Sequence, residues 1–272
     1  MMRSLWTAAS GMTSQQTAVD VIAHNLANVN TTGFKAQSAQ FKTLLYQTSQ
    51  AVTTSANGDT KPVSAQVGLG VRNSAVATMF RQGALTETEN NTDFAIEGKG
   101  FFQLMNEDGK VQYTRDGSFS WVPMNDGSMM LATSMGYAVL DTAGESITLG
   151  EEYDMSKISI DSRGNICYPD ENNQAVSIGK QIGIVQFKNP GGLSKGSDSI
   201  YDTSDASGEA IMEADGEVSV VSIIRQGYVE ASNVNVATEM VNLIVAQRAY
   251  EMNSKAITTS DEMLQQANQL KR

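Results

Sequence analysis

Cysteine and histidine each occur once, at Cys167 and His24, and proline only four times in 272 residues. A lone cysteine closes no intramolecular disulfide and, without a CxxC pair, builds no thiolate zinc site. One imidazole leaves few acid–base relays, and any zinc site would rest mainly on carboxylates, which zinc seldom uses. Basic charge is scarce as well: 19 Lys+Arg stand against 30 Asp+Glu, a net charge of −11. That balance argues against nucleic acid as a partner, because phosphate neutralisation needs clustered Lys and Arg, and equally against a polybasic membrane anchor. No apolar run approaches the length of a membrane-spanning helix. Ser, Thr and Gly interrupt the opening residues 1–13, so the continuous apolar region of a cleaved signal peptide is not expected.

The acidity is local. Residues 1–81 carry six basic and two acidic side chains, residues 218–272 carry five of each, and 82–217 carry eight basic against 23 acidic, net −15. The middle and the two ends are therefore expected to face different surroundings. The length allows one large domain or two ordinary ones.

Both ends read as helices. Leu5, Ala9, Met12, Val19, Ala23 and Leu26 recur in steps of four and three, with Gln16 in the remaining place, which is the heptad seam of a coiled coil. Val236, Met240, Leu243, Gln247, Tyr250, Ser254, Ile257, Asp261 and Leu264 repeat it near the C-terminus, after Ser232-Asn233 as expected N-cap residues. Gln16, Gln247, Ser254 and Asp261 weaken the seams, and the many Ala, Ser and Thr permit close approach while burying little area. Such helices need neighbours on more than one side, either as a two-helix stalk within one chain or as a tube shared by many copies.

The middle reads as β. Short runs at 93–96, 101–105, 111–114, 118–122, 129–132, 137–140, 158–160 and 184–187 alternate with Asp-Gly and related turns at 107–109, 115–117, 125–127, 143–144 and 163–165, which favour antiparallel hairpins. Residues 47–66 and 188–217 are polar and poor in large apolar groups, so each alone is expected as a disordered linker or long surface loop, with folding against a partner as the alternative. The fold class is α+β: terminal helices pairing as a coiled coil, with a central antiparallel all-β domain. The expected division is 1–45 for the N-terminal helix and its motif, 46–84 for the polar insert and extended linker, 85–225 for the β-domain, and 226–272 for the C-terminal helix.

Chemical motifs are missing. Gly98-Lys99-Gly100 lacks the third glycine of a dinucleotide fingerprint, and no Walker-type loop occurs. Counting back from Gly109, Gly127, Gly164 and Gly216 puts Leu104, Val122, Ser159 and Ile211 where an EF-hand needs its first ligand. Glu151-Glu152 and Asp170-Glu171 read as solvated acidic faces, His24 as a packed or capping residue, and Cys167 as a strand residue. No catalytic, cofactor-binding or metal-ligating residue is assigned.

Asn25-Leu-Ala-Asn-Val-Asn-Thr-Thr-Gly-Phe-Lys35 resembles the N-terminal signature of the bacterial flagellar rod and hook family. Gly227-Tyr-Val-Glu-Ala-Ser-Asn-Val-Asn-Val-Ala237 and Ala246-Gln-Arg-Ala-Tyr-Glu-Met-Asn-Ser-Lys255 are similar to its C-terminal signature. Gln82–Leu85, Asp93–Phe102 and Tyr113–Phe119 resemble its β-domain motifs, so the likeness covers nearly the whole chain in order. Arg3–Gly11, Leu44–Gln47, the polar insert and Gly68–Arg72 are similar to the distal-rod branch; proximal rod members lack the full insert and the hook protein is longer.

The resemblance implies a non-enzymatic structural subunit, exported without a cleaved signal by the flagellar export apparatus and located in the basal body outside the cytoplasmic membrane, in periplasm or cell wall. It implies helical assembly with copies of itself, contacts with proximal rod proteins and the hook protein, and with L- and P-ring proteins where the host has an outer membrane. The residues it marks for self-assembly are Leu5, Ala9, Met12, Val19, Asn25, Leu26, Asn28, Gly33 and Phe34 at one end. At the other they are Asn233, Val234, Asn235, Val236, Met240, Leu243, Tyr250, Ile257 and Leu264. Other readings stay open at this point: a proximal rod or hook-like subunit of the same family, a secreted adhesin-like β protein with helical ends and, weakest, a carbohydrate-active enzyme.

Overall fold

A computed structural model describes residues 2–50, 65–124, 126–150, 152–170, 174–216, 218 and 220–270. It shows an N-terminal helix α1 (Met2–Ala27), a C-terminal helix α2 (Val236–Gln269) and an antiparallel β-rich middle, an α+β protein. The chain divides into two compact units that cut across chain order: Met1–Ala27, Gln37–Thr78 and Asn235–Arg272 form one, Asn28–Ala36 and Met79–Val234 the other.

In the helical unit the buried line is made of small and polar residues. Ala8, Ser14, Val21, Ile22 and Asn25 are buried on α1, and Ala246 and Ser260 on α2. The expected seam is thus met only in part. Leu5, Met12, Val19, Leu26, Leu243, Ile257 and Leu264 are half-buried, whereas Ala9, Gln16, Ala23, Gln247 and Asp261 are exposed. The reason is close approach: a Cβ added to Gly11 would come within 2.9 Å of the Asn253 amide. Serine is tolerated there because its hydroxyl returns to the helix, Ser14 Oγ donating to the Ser10 carbonyl (2.9 Å) and Ser260 Oγ to that of Ala256 (2.7 Å). The α2 N-cap is Asn235, which accepts from the Thr238 N–H at 3.1 Å. The expected cap, Asn233, has its side chain engaged elsewhere.

Two antiparallel strand pairs complete this unit. Gln37–Thr43 pairs with Val71–Thr78, and Tyr46–Gln50 with Ala65–Gly68. Their large apolar residues are few, and no residue of 37–43 or 71–78 is buried, so hydrophobic patterning does not mark them. The first pair is fixed instead at its turn end, where Gly70, in the left-handed region at φ 118°, lies against Ser10 and the Val71 N–H donates to Ser10 Oγ at 3.3 Å. Of the expected 47–66 loop, the two flanks are thus paired strands, and 51–64 lies outside the described residues.

In the β unit every strand run expected from the sequence falls on a strand. Phe101–Met105 is central to the largest sheet, pairing with Val111–Thr114, Ala138–Val139 and Ile184–Gln186. Adjacent side chains of a strand point to opposite faces. Phe102 and Leu104 therefore enter one core with Phe119, Leu131, Val139 and Ile166, while Phe101 enters a second with Tyr113, Val185, Phe187 and Tyr201. Burial on both faces explains the unbroken Phe-Phe-Gln-Leu-Met run. Ile200–Asp202 and Ile211–Met212 also join this sheet. The expectation of a long loop over 188–217 fails because Ile200 and Tyr201, isolated in a polar stretch, are both buried. Arg115-Asp-Gly117 is likewise no hairpin turn: Gly117 is held hard against the Phe94 carbonyl, which leaves no room for a Cβ.

Candidate assembly site

The residues marked at the chain ends fall into two groups. One is the surface of the helical unit. Val236, Met240, Val241, Ile244, Val245 and Met252 are exposed along α2, the last two at 62% and 67%, and Trp6 is exposed on α1. Tyr250 faces an open groove with Gln16, Val19, Gln247 and Glu251. Asn25, by contrast, is 1% exposed. Its side chain accepts from the Gln37 N–H and donates to the Gln37 carbonyl, both at 2.8 Å, and also reaches Glu239 Oε2 at 3.4 Å.

The other group lies inside the β unit, where residues 28–36 meet 228–234. The Asn28 carbonyl accepts from the Thr31 N–H, closing the turn after α1. Gly33 sits at φ 65° with its N–H on the Glu230 carbonyl (2.8 Å) and its α-carbon against the Arg115–Asp116 backbone. Phe34 is buried, with Lys195 Nζ 4.5 Å above its ring. Asn233 accepts from the Ala36 N–H (2.7 Å) and donates to the carbonyls of Met79 (2.8 Å) and Arg81 (3.0 Å). Val234 is half-buried beside it.

At the centre of this junction is an ion cluster that the sequence reading did not single out. Glu230 is fully buried and takes Lys35 Nζ at 2.5 Å and the Gly83 N–H at 2.7 Å on Oε1, while Arg115 Nε lies 3.2 Å from Oε2 without hydrogen-bond alignment. Lys35 Nζ also donates to the Arg81 carbonyl (2.9 Å), and Arg115 donates to the carbonyls of Gly100 and Gly98. Burial, helped by the neighbouring guanidinium, lowers the Lys35 pKa to about 8 against the opposing pull of Glu230. Burial likewise lowers Arg115, again opposed by Glu230, and raises the Tyr201 phenol. One visible signal existed: Lys35, Arg115 and Glu230 each stand within one of the three recognised motifs, and their signs are complementary.

These features describe a β unit whose buried junction ties residues 28–36 to 228–234, and a helical unit that leaves apolar side chains of α2 exposed, the make-up of a structural subunit. Residues 5–35 match the family described as Flagella basal body rod protein. Residues 95–168 match the Flagellar hook protein FlgE/F/G D1 domain, and 225–270 the Flagellar basal body rod FlgEFG protein C-terminal. Full-length relatives named flagellar basal-body rod protein FlgG include that of Borreliella burgdorferi, 47% identical with all of both chains covered. That of Caulobacter vibrioides is 41% identical over 99% of this chain and all of the relative, and that of Bacillus subtilis 38% identical over all of both. The chain belongs to the flagellar basal-body rod family, in its FlgG branch, and is a structural protein of the flagellar basal body.

Proposed function

We propose that the chain is a subunit of the distal rod that assembles with copies of itself into a rigid helical tube, transmitting torque to the hook and enclosing the export channel. The terminal helices pair as a coiled coil and, from many copies, line the inner tube, while the acidic β parts form the outer layer. Its remaining partners are the proximal rod proteins, the hook protein and the export apparatus, with L- and P-ring proteins where the host has an outer membrane. It carries no catalysis. The 47–66 insert orders between neighbouring copies and stiffens the rod, and its deletion softens the polymer; an equally straight, stiff polymer after deletion refutes that role.

The observation that carries this reading is the apolar face of α2. Val241, Ile244, Val245 and Met252 are exposed on a 34-residue helix, and an exposed apolar stripe of this length marks an interaction surface. The paired change Ile244→Asp and Val245→Asp tests it. Monomer melting stays unchanged, whereas polymerisation measured by sedimentation and negative-stain microscopy is abolished. Normal polymers from this variant refute the reading.

A further inference from the structure

A cavity of about 200 Å³ in the β unit is walled by Phe80, Phe101, Phe187 and Pro190 and ringed by Lys99, Lys188 and Arg115. Its aromatic walls are mutually packed, Phe80 and Phe187 each meeting Phe101 edge-on at centroid distances of 5.5 and 5.6 Å. The Arg115 guanidinium lies 5.6 Å from the Phe101 ring centroid. Apolar walls with a few convergent polar groups are what a recognition pocket requires, and here all three charged groups are cations.

Charge counting sharpens this. In the buried cluster behind the cavity, Lys35 and Arg115 share the single carboxylate of Glu230. The next carboxylate, Glu213, is committed to the Ser222 N–H, the Ser222 hydroxyl and the Gln186 amide. Lys99 and Lys188 are exposed and in no ion pair among the described residues. Tyr201, packed on Phe80 and Phe101, keeps a buried hydroxyl without a partner. This concentration of positive charge sits within a region whose net charge is −15.

We infer that this pocket receives an apolar-flanked carboxylate side chain from the β region of a second copy, so that a cationic socket on one subunit meets the acidic surface of the next. The inference rests on the rod-subunit reading. A socket on one face and a knob on another form a heterologous contact, the kind that propagates into an open helix instead of closing into a dimer. A carboxylate seated there gains charge-assisted contacts in a partly desolvated site and guides encounter electrostatically.

The test is the double charge reversal Lys99→Glu with Lys188→Glu, both exposed and neither part of the buried cluster. The variant keeps wild-type melting, yet its critical concentration for polymerisation rises at least tenfold and loses most of its dependence on salt. Equal polymerisation of variant and wild type overturns the proposal, and polymerisation of the wild type in parallel reports separately on the rod-subunit reading. A second arm needs no assembly: benzoate, with benzamide as the neutral control, is titrated into monomer while the resonances of Phe80, Phe101 and Phe187 are followed. Benzoate shifts these rings in the wild type but not in the variant, benzamide shifts neither, and benzoate inhibits polymerisation. Equal shifts from both compounds, or benzoate binding that leaves polymerisation untouched, overturns the proposal.

Discussion

Replacing Glu230 by Gln keeps the shape of the side chain and removes the one charge that balances Lys35 and Arg115. All three groups are nearly or wholly out of water, at 0%, 4% and 0% exposure, so solvent cannot make good the loss. Removing one partner of a buried pair typically costs about 3–5 kcal/mol, because a charge is left uncompensated. Glutamine retains an acceptor for the Gly83 N–H, which places the expected loss near the lower end, about 3 kcal/mol. Against a typical total of about 5–15 kcal/mol, that is a large shift in a urea melt of the β-sheet signal. Lys35→Met removes a cation instead, and the double variant Lys35→Met with Glu230→Gln loses less than the sum of the two singles. A Glu230→Gln loss below about 1 kcal/mol, with additive singles, refutes the claim that this cluster joins the three motifs. Titration offers a second readout. Lys35 releases its proton near pH 8 when folded and near pH ~10.4 when unfolded. Between those values the unfolded chain binds more protons, so this lysine's contribution to stability rises with pH across the window. Comparison with Lys35→Met reveals the rise, and identical pH profiles contradict it.

Other changes follow from the same geometry. Asn25→Ala leaves the Gln37 N–H and carbonyl without their partner, which costs about 1–3 kcal/mol and speeds hydrogen exchange at the Gln37 amide. Unchanged exchange refutes the clamp. Gly33→Ala forces a side chain into the left-handed region and against the Arg115–Asp116 backbone, so it destabilises the β unit by more than the ~1 kcal/mol of conformational strain alone. Gly109→Ala in the open Asn106–Lys110 turn, at φ 75° with no atom within 4 Å of the added carbon, pays only that strain, and the two melts together separate crowding from conformation.

How much was legible in the sequence depended on whether side-chain patterning or backbone contact fixed each element. Runs such as 101–105 and 129–132 were readable because their apolar side chains fill a core, and the turns at 107–109 and 163–165 because glycine follows or joins residues that tolerate positive φ. The strands Gln37–Thr43 and Val71–Thr78 were not, since they are held by mutual pairing and by Ser10 and bury no side chain that a hydrophobic pattern would mark. The helix seams were half legible: Leu243, Ile257 and Leu264 mark the correct flank, but the deepest positions are Ala246 and Ser260, chosen for smallness, to which a hydrophobic pattern is blind. Ser232-Asn233 had the composition of a cap, and only the carbonyls at 79 and 81 explain why Asn233 turns away. The ion cluster was hidden for a different reason, because its members are 80 and 115 residues apart in the chain and only folding brings their signs together.

The central claim is that α2 carries an apolar face meant for other copies of the chain. High-resolution electron cryo-microscopy of the polymer formed by the purified protein tests it most directly. The account predicts Val241, Ile244, Val245 and Met252 buried against helices of neighbouring copies; a polymer in which these four side chains face solvent contradicts it.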